Sequence, residues 1–214
     1  FWTELHGGWD ALRNHPVRRG VTIMATALVL GPGVSTVLAV ILAENVLHGG
    51  MAGYSLIVSA MGVGAAIGAI VTSALASRIP RDRSYQVGFF LAALGTAIVG
   101  VSRSVPLAGL GFAVLGGGQI VASIAGTTLL QEHTEDHLRG RIFGMYQTLV
   151  HVFSLLAAAI AGGLSDGLGA ATVITAVGIL EICLSPLALW LVRERRPAPL
   201  ASPGGESPGA GAIL

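Results

Sequence analysis

Glu181 is the only acidic residue well inside an apolar run of this chain, in "ATVITAVGILEICLSPLALW". An ionised carboxylate at the centre of a bilayer costs about 3 kcal/mol or more, so such a residue faces protein or water, or carries a proton. Gly178, Glu181 and Ser185 share a helical face, which favours an inward direction. The chemistry open to it is proton binding; the plain alternative is a hydrogen-bonded structural acid near Pro186. Two polar stripes are the next candidates. Gln119, Ser123 and Thr127 recur at helical spacing, and so do Gln147, His151 and Ser154. They either line an aqueous cavity or hydrogen-bond a neighbouring helix. His151 is a second candidate for proton binding. A third feature is "EHTEDHLRGR", where Glu132, His133, Glu135, Asp136, His137, Arg139 and Arg141 crowd together in a chain only 11% charged. Residues of this kind at a membrane surface form either a solvated loop or a set of charge pairs that engage and release. Thr134 is placed to cap the following helix, with Glu135 and Asp136 in its first turn.

The elements that must position these residues are membrane spans. Hydrophobic residues make up 53% of 214, and the mean hydropathy is +0.76. Six apolar runs lie at about Gly20–Ala43, Ala52–Ser77, Tyr85–Ser102, Pro106–Leu130, Ile142–Leu164 and Ala170–Val192. Each has the roughly 20 residues that carry a helix across the hydrocarbon core. Backbone groups facing lipid must be satisfied within the segment, and no barrel-type alternation is present, so an all-α membrane protein is expected. All basic residues are arginine. Eleven fall in the opening stretch, the second-to-third and fourth-to-fifth connections and the tail, and only Arg103 falls on the other side. Positive residues stay cytoplasmic, so the opening stretch, the tail and the 132–141 loop are expected there. With the lone Cys183 replaced, cysteines at Arg81 and His137 should be labelled only from the cytoplasm, and one at Gly167 only from the opposite side. Labelling at Arg81 from outside would overturn the topology.

The first span is interrupted by Gly31-Pro32-Gly33. Pro32 has no N–H for the carbonyl of Leu28, so a kink is expected, either as a plain structural feature or as the lining of a transport site. The second span carries Ser55, Ser59, Gly62, Ala66, Ala69 and Ser73 at helical spacing, together with Gly64-x-x-x-Gly68. Small residues let helices touch in lipid, and packing is the expected role of this span's small residues. Residues 1–19 read as a cytoplasmic linker with a short interfacial amphipathic helix, and residues 193–214 as a disordered tail rich in Pro, Gly and Ser. The start at Phe1 reads as a beginning inside a longer protein. No phosphate loop, metalloprotease motif or nucleophile elbow is found, and Cys183 has no metal-ligand cluster about it. Basic residues spread over separate membrane edges do not form a nucleic-acid patch. Neither an enzyme nor a cofactor or metal site is expected; a membrane-embedded enzyme would need clustered His, Asp or Cys at one face.

Two stretches resemble a known family. They are "NVLHGGMAGYSLIVSAMGVGAAIGAIVTSALASR" (45–78) and "LLQEHTEDHLRGRIFGMYQTLVHVFSLLAAAIAGGLSDGLG" (129–169). The first is similar to a short turn and Gly-rich eighth helix, the second to a tenth-to-eleventh loop with Arg-Gly-Arg. Both resemble the carboxy-terminal half of major facilitator superfamily transporters, in the branch of macrolide-efflux and enterobactin exporters. The resemblance implies helices 7 to 12 of twelve, built as two inverted three-helix repeats, with an amino-terminal half upstream. It implies a bacterial inner-membrane permease with both ends of this segment cytoplasmic, exporting small amphipathic molecules and coupled to protons. Siderophore or metabolite export is a second reading, and a non-transporting membrane protein or enzyme a third. In that family helices 7 and 10 line the cavity, 8 and 11 flank it between the halves, and 9 and 12 lie outside. This favours Gln119 and Ser123, leaves His151 as a lining candidate alongside Pro32 and Gln147, and speaks against Glu181. The family's loop motif between helices 8 and 9 has an acid; Ser77-Arg78-Ile79-Pro80 lacks it. Arg139 and Arg141, separated by a flexible Gly140, suit a gating latch, with Arg78 against a helix end.

Overall fold

The computed structural model describes residues 16–192, which are helical almost throughout. Helices α1 (Pro16–Leu28) and α2 (Leu30–Ile41), continued by a π-helical turn Leu42–Val46, form a first span of 31 residues. Then follow α3 (Gly50–Leu75), α4 (Arg81–Val101), α5 (Val105–Glu132), α6 (Arg139–Leu168) and α7 (Ala170–Val192). These make six segments long and apolar enough to cross a membrane. They coincide with the six apolar runs, with ends moved by a few residues. Pro16–Arg19, assigned above to the linker, already belong to α1, where proline suits a first turn because its missing N–H would have no helical partner there. The amphipathic helix expected before them and the tail expected after Val192 lie outside the described residues.

The packing order follows from which helices touch. α3 lies on α5, α5 on α4, α4 on α7, and α7 and α6 both lie on the first span. Exchanging the first span with α5, α3 with α6 and α4 with α7 maps this pattern onto itself. The pair α3–α5 becomes α6–first span, α4–α5 becomes α7–first span, and α4–α7 is unchanged. Two three-helix units packed in this way must be inverted, since an odd number of spans ends on the side opposite its start.

Close approach at glycines sets the tightest contacts. A Cβ on Gly64 would strike the Ala113 backbone, and one on Gly68 would lie 2.6 Å from the carbonyl oxygen of Gly117. Gly88 and Gly118 meet reciprocally between α4 and α5, each within 2.8 Å of the other's carbonyl oxygen if given a Cβ. Around these crossings Tyr85, Phe89, Phe112, Leu115 and Leu129 are fully buried. The small residues of α3 divide between two faces. Gly53, Ile57, Gly64 and Gly68 form its buried face, while Ser55, Ser59, Gly62, Ala66 and Ser73 are exposed. Packing within this chain uses the glycine pair and leaves that stripe on the opposite side.

Candidate functional site

The first span breaks at Val29, three residues before Pro32. In an unbroken helix the Gly31 N–H would donate to Ala27 and the nitrogen of Pro32 would face Leu28. Proline has no hydrogen to give, and the Gly31 N–H points elsewhere: it donates to Oε1 of Glu181 at 2.8 Å, across 150 residues of sequence. Glu181 therefore caps the amino end of α2 from a different helix. Its negative form would lie where the α2 dipole favours an anion.

Glu181 is 1% exposed, so its turn of α7 faces inward even though the family resemblance sets this helix at the outside of the bundle. The reason is local. α7 packs on α1, α2 and α4, and the helix break leaves a backbone donor that the Glu181 side chain reaches across to meet. The other wall is Thr96 on α4, fully buried, whose hydroxyl donates to the Ala92 carbonyl at 3.1 Å. A Cβ on Gly31 would run into Thr96 Oγ1 and both carboxyl oxygens, so the three elements meet at one point. Thr96 escaped the sequence reading because one hydroxyl in an apolar run has no visible direction.

The remaining candidates are less concentrated. Pro32 is buried beside the break. Gln119 is half-buried on α5 and Ser123 exposed one turn further on. Gln147 and His151 are exposed on α6, and His151 Nδ1 lies 2.7 Å from the Gln147 carbonyl oxygen. α5 and α6 both rest on the first span and hardly touch each other, so the two stripes are not joined by packing. Only Ser154 of the second stripe turns to the break region, with its Oγ 3.2 Å from a Cβ built on Gly33.

At the arginine-rich end, Arg81 Nε and Glu132 Oε1 pair at 2.6 Å and tie α4 to α5. Arg139 pairs locally with Asp136 at 2.9 Å, Glu135 lies 3.4 Å from His137, and Arg141 and Arg78 are exposed. Gly140 sits in the first turn of α6. Thr134 does not cap α6 either. Its hydroxyl donates back to the Leu130 carbonyl at 2.6 Å, because a 3-10 turn, Asp136–Leu138, intervenes before α6 begins.

Comparison with known proteins agrees with this architecture. Two curated relatives, the arabinose-proton symporters of Escherichia coli strain K12 and of Escherichia coli O157:H7, are each 34% identical over 101 residues. That match covers 47% of this chain and 21% of each relative, so the likeness spans about a fifth of their length. The sequence model of the Major Facilitator Superfamily matches residues 19–214, and with six apolar helices in the expected packing order the chain belongs to that superfamily of transporters.

Proposed function

We propose that this chain is the carboxy-terminal six-helix half of a secondary transporter that exports small amphipathic, drug-like molecules from bacteria and is driven by protons entering through Glu181. The observation that carries the reading is a buried carboxyl that caps a broken helix and makes no ion pair among the described residues. A transporter needs a group whose charge changes within the bilayer, next to an element that can rearrange. Glu181 and the α1–α2 break supply both. Gln119, Ser123, Gln147, His151 and Pro32 line the substrate cavity, completed by an amino-terminal half of the same polypeptide. Arg139, Gly140, Arg141 and Arg78 act at the cytoplasmic face as the gate, where pairs such as Arg139–Asp136 exchange partners between states.

Glu181→Gln tests the reading in the full-length protein in inside-out vesicles. Glutamine keeps the acceptor for Gly31 and mimics the protonated acid, so folding should persist. Accumulation driven by a pH gradient should fall about tenfold or more, as expected for a carrier locked in one protonation state, while substrate exchange continues. Undiminished gradient-driven accumulation would sink the proposal. The likeness to arabinose-proton symporters favours a second reading, inward symport of a small polar solute. The two differ in sign: with the carrier in native orientation, external substrate makes the outside medium more alkaline under symport, whereas under exchange its entry carries protons out and makes the medium more acidic.

A further inference from the structure

The Glu181 pocket treats the two carboxyl oxygens differently. Oε1 accepts the Gly31 N–H. Oε2 is buried and has no hydrogen-bond partner, although the Thr96 hydroxyl stands beside it. The rotatable Thr96 hydroxyl meets the Ala92 carbonyl oxygen at 3.1 Å in one orientation and is also within reach of the Glu181 carboxyl. A bare carboxylate oxygen held out of water with no donor is a costly arrangement. For a carboxylic acid the same geometry is complete. A proton on Oε2 donates to Thr96 Oγ1, which has lone pairs free while its own proton stays on the Ala92 carbonyl.

We propose that Thr96 is the positioning residue for the Glu181 proton: its hydroxyl accepts from the protonated acid and turns to donate to the ionised one. The turn is a rotation about one bond. Ala92 loses little by it, because its carbonyl is also placed to accept the helical backbone N–H of Thr96, four residues on. When the proton leaves Oε2 for water, the negative charge stays on the carboxylate, beside the amino end of α2. Both states then have a full set of hydrogen bonds without movement of the backbone.

Among the described residues, no neighbouring charge takes over this task. Among titratable groups on the elements packed against the site, Arg18 and Arg19 of α1, Arg81, Asp82, Arg83 and Tyr85 of α4, and Arg139, Arg141, Tyr146, His151 and Asp166 of α6 make neither ion pair nor hydrogen bond with the carboxyl. Glu44, in the π-helical turn, is exposed and does not pair with it either. The hydroxyl is the group left to answer the change in charge. This inference rests on Glu181 as a proton carrier and adds the residue that makes both of its states tolerable away from water.

Infrared difference spectroscopy on the membrane-embedded full-length protein reads the carboxylic acid C=O stretch directly and needs no substrate. A titrating band that disappears in Glu181→Gln is expected in the wild type. In Thr96→Val it should move to the higher frequency of an acid whose O–H has no acceptor, and Thr96→Ser should restore it. Thr96→Ala repeats the test with a smaller side chain should the valine variant not fold. A wild type with no such band at any pH, or a band unmoved by valine and alanine alike, would overturn the proposal. If transport proves independent of Glu181 while the band still follows Thr96, the transport reading fails and this one stands.

Discussion

Gly31→Val is expected to lower the unfolding free energy by about 3 kcal/mol or more and to remove the carboxyl from its place at the helix break. Two effects act together. A Cβ at Gly31 meets Thr96 Oγ1 and the Glu181 carboxyl, with Oε2 at 2.5 Å and Oε1 at 2.9 Å. Moving the carboxyl away leaves the Gly31 N–H without its acceptor in a buried position. In addition, Gly31 is helical immediately before Pro32, where the proline ring disfavours any residue with a Cβ in the α region. Glycine avoids that clash. The measurement is thermal unfolding in detergent of Gly31→Val, Glu181→Ala and the double variant. If the valine strikes the carboxyl, the double variant should recover part of the loss, with a coupling of about 1–3 kcal/mol. Strictly additive losses would show that the two side chains do not share a site. Gradient-driven transport by Gly31→Val should be lost with the carboxyl geometry.

The second large effect separates two glycines two positions apart in the sequence. Gly64→Leu should cost about 3 kcal/mol or more, or prevent folding, whereas Gly62→Leu should change stability by less than about 1 kcal/mol. Gly64 faces the Ala113 backbone, with the Ala113 Cα 2.7 Å from its would-be Cβ, and backbone cannot rotate aside. α3 and α5 would have to part along their shared length, and their contact is among the most extensive in the fold. Gly62 has nothing within 4 Å of that position. Leucine there adds helix propensity of the order of 0.8 kcal/mol and touches no neighbour in this chain. Both substitutions have the same chemistry, so monodispersity and unfolding midpoint in detergent compare geometry alone. Equal tolerance at the two positions would mean that α3 does not pack as described.

Much of the fold was legible because it depends on one-dimensional signals. A helix crossing hydrocarbon needs about 20 apolar residues, and six such runs can be counted. Pro32 lacks an N–H wherever it is placed, so the interruption of the first span was readable, though not its position at Val29. Gly64-x-x-x-Gly68 marked a close helix contact, but the exposed stripe beside it, Ser55 to Ser73, carried the same signal and points the other way. In water, polarity separates the two faces of a helix; in lipid both faces are apolar or small, and direction is lost.

The loop at 132–141 shows the same limit in polar residues. Its charge density was plain in the sequence, yet the partners were not: Glu132 pairs with Arg81, 51 residues away, while Arg139 pairs with its neighbour Asp136. Gly140 falls in the first turn of α6, since a helix closing its own hydrogen bonds tolerates one glycine at a cost of about 1 kcal/mol.

The candidate site marks the boundary most clearly. The sequence alone determined that Glu181 lies within a span, and that the expense of a charge in lipid would hold it toward protein or water. It also determined that the Gly31-Pro32-Gly33 stretch would interrupt a helix. That these two features are one site was decided by tertiary structure, which brings the Glu181 carboxyl to the Gly31 N–H across 150 residues and sets Thr96 of a third helix beside them. Helical period gives each side chain an angle about its own axis. Which neighbour fills that angle depends on how the helices fit together, and here small residues at their crossings set that fit.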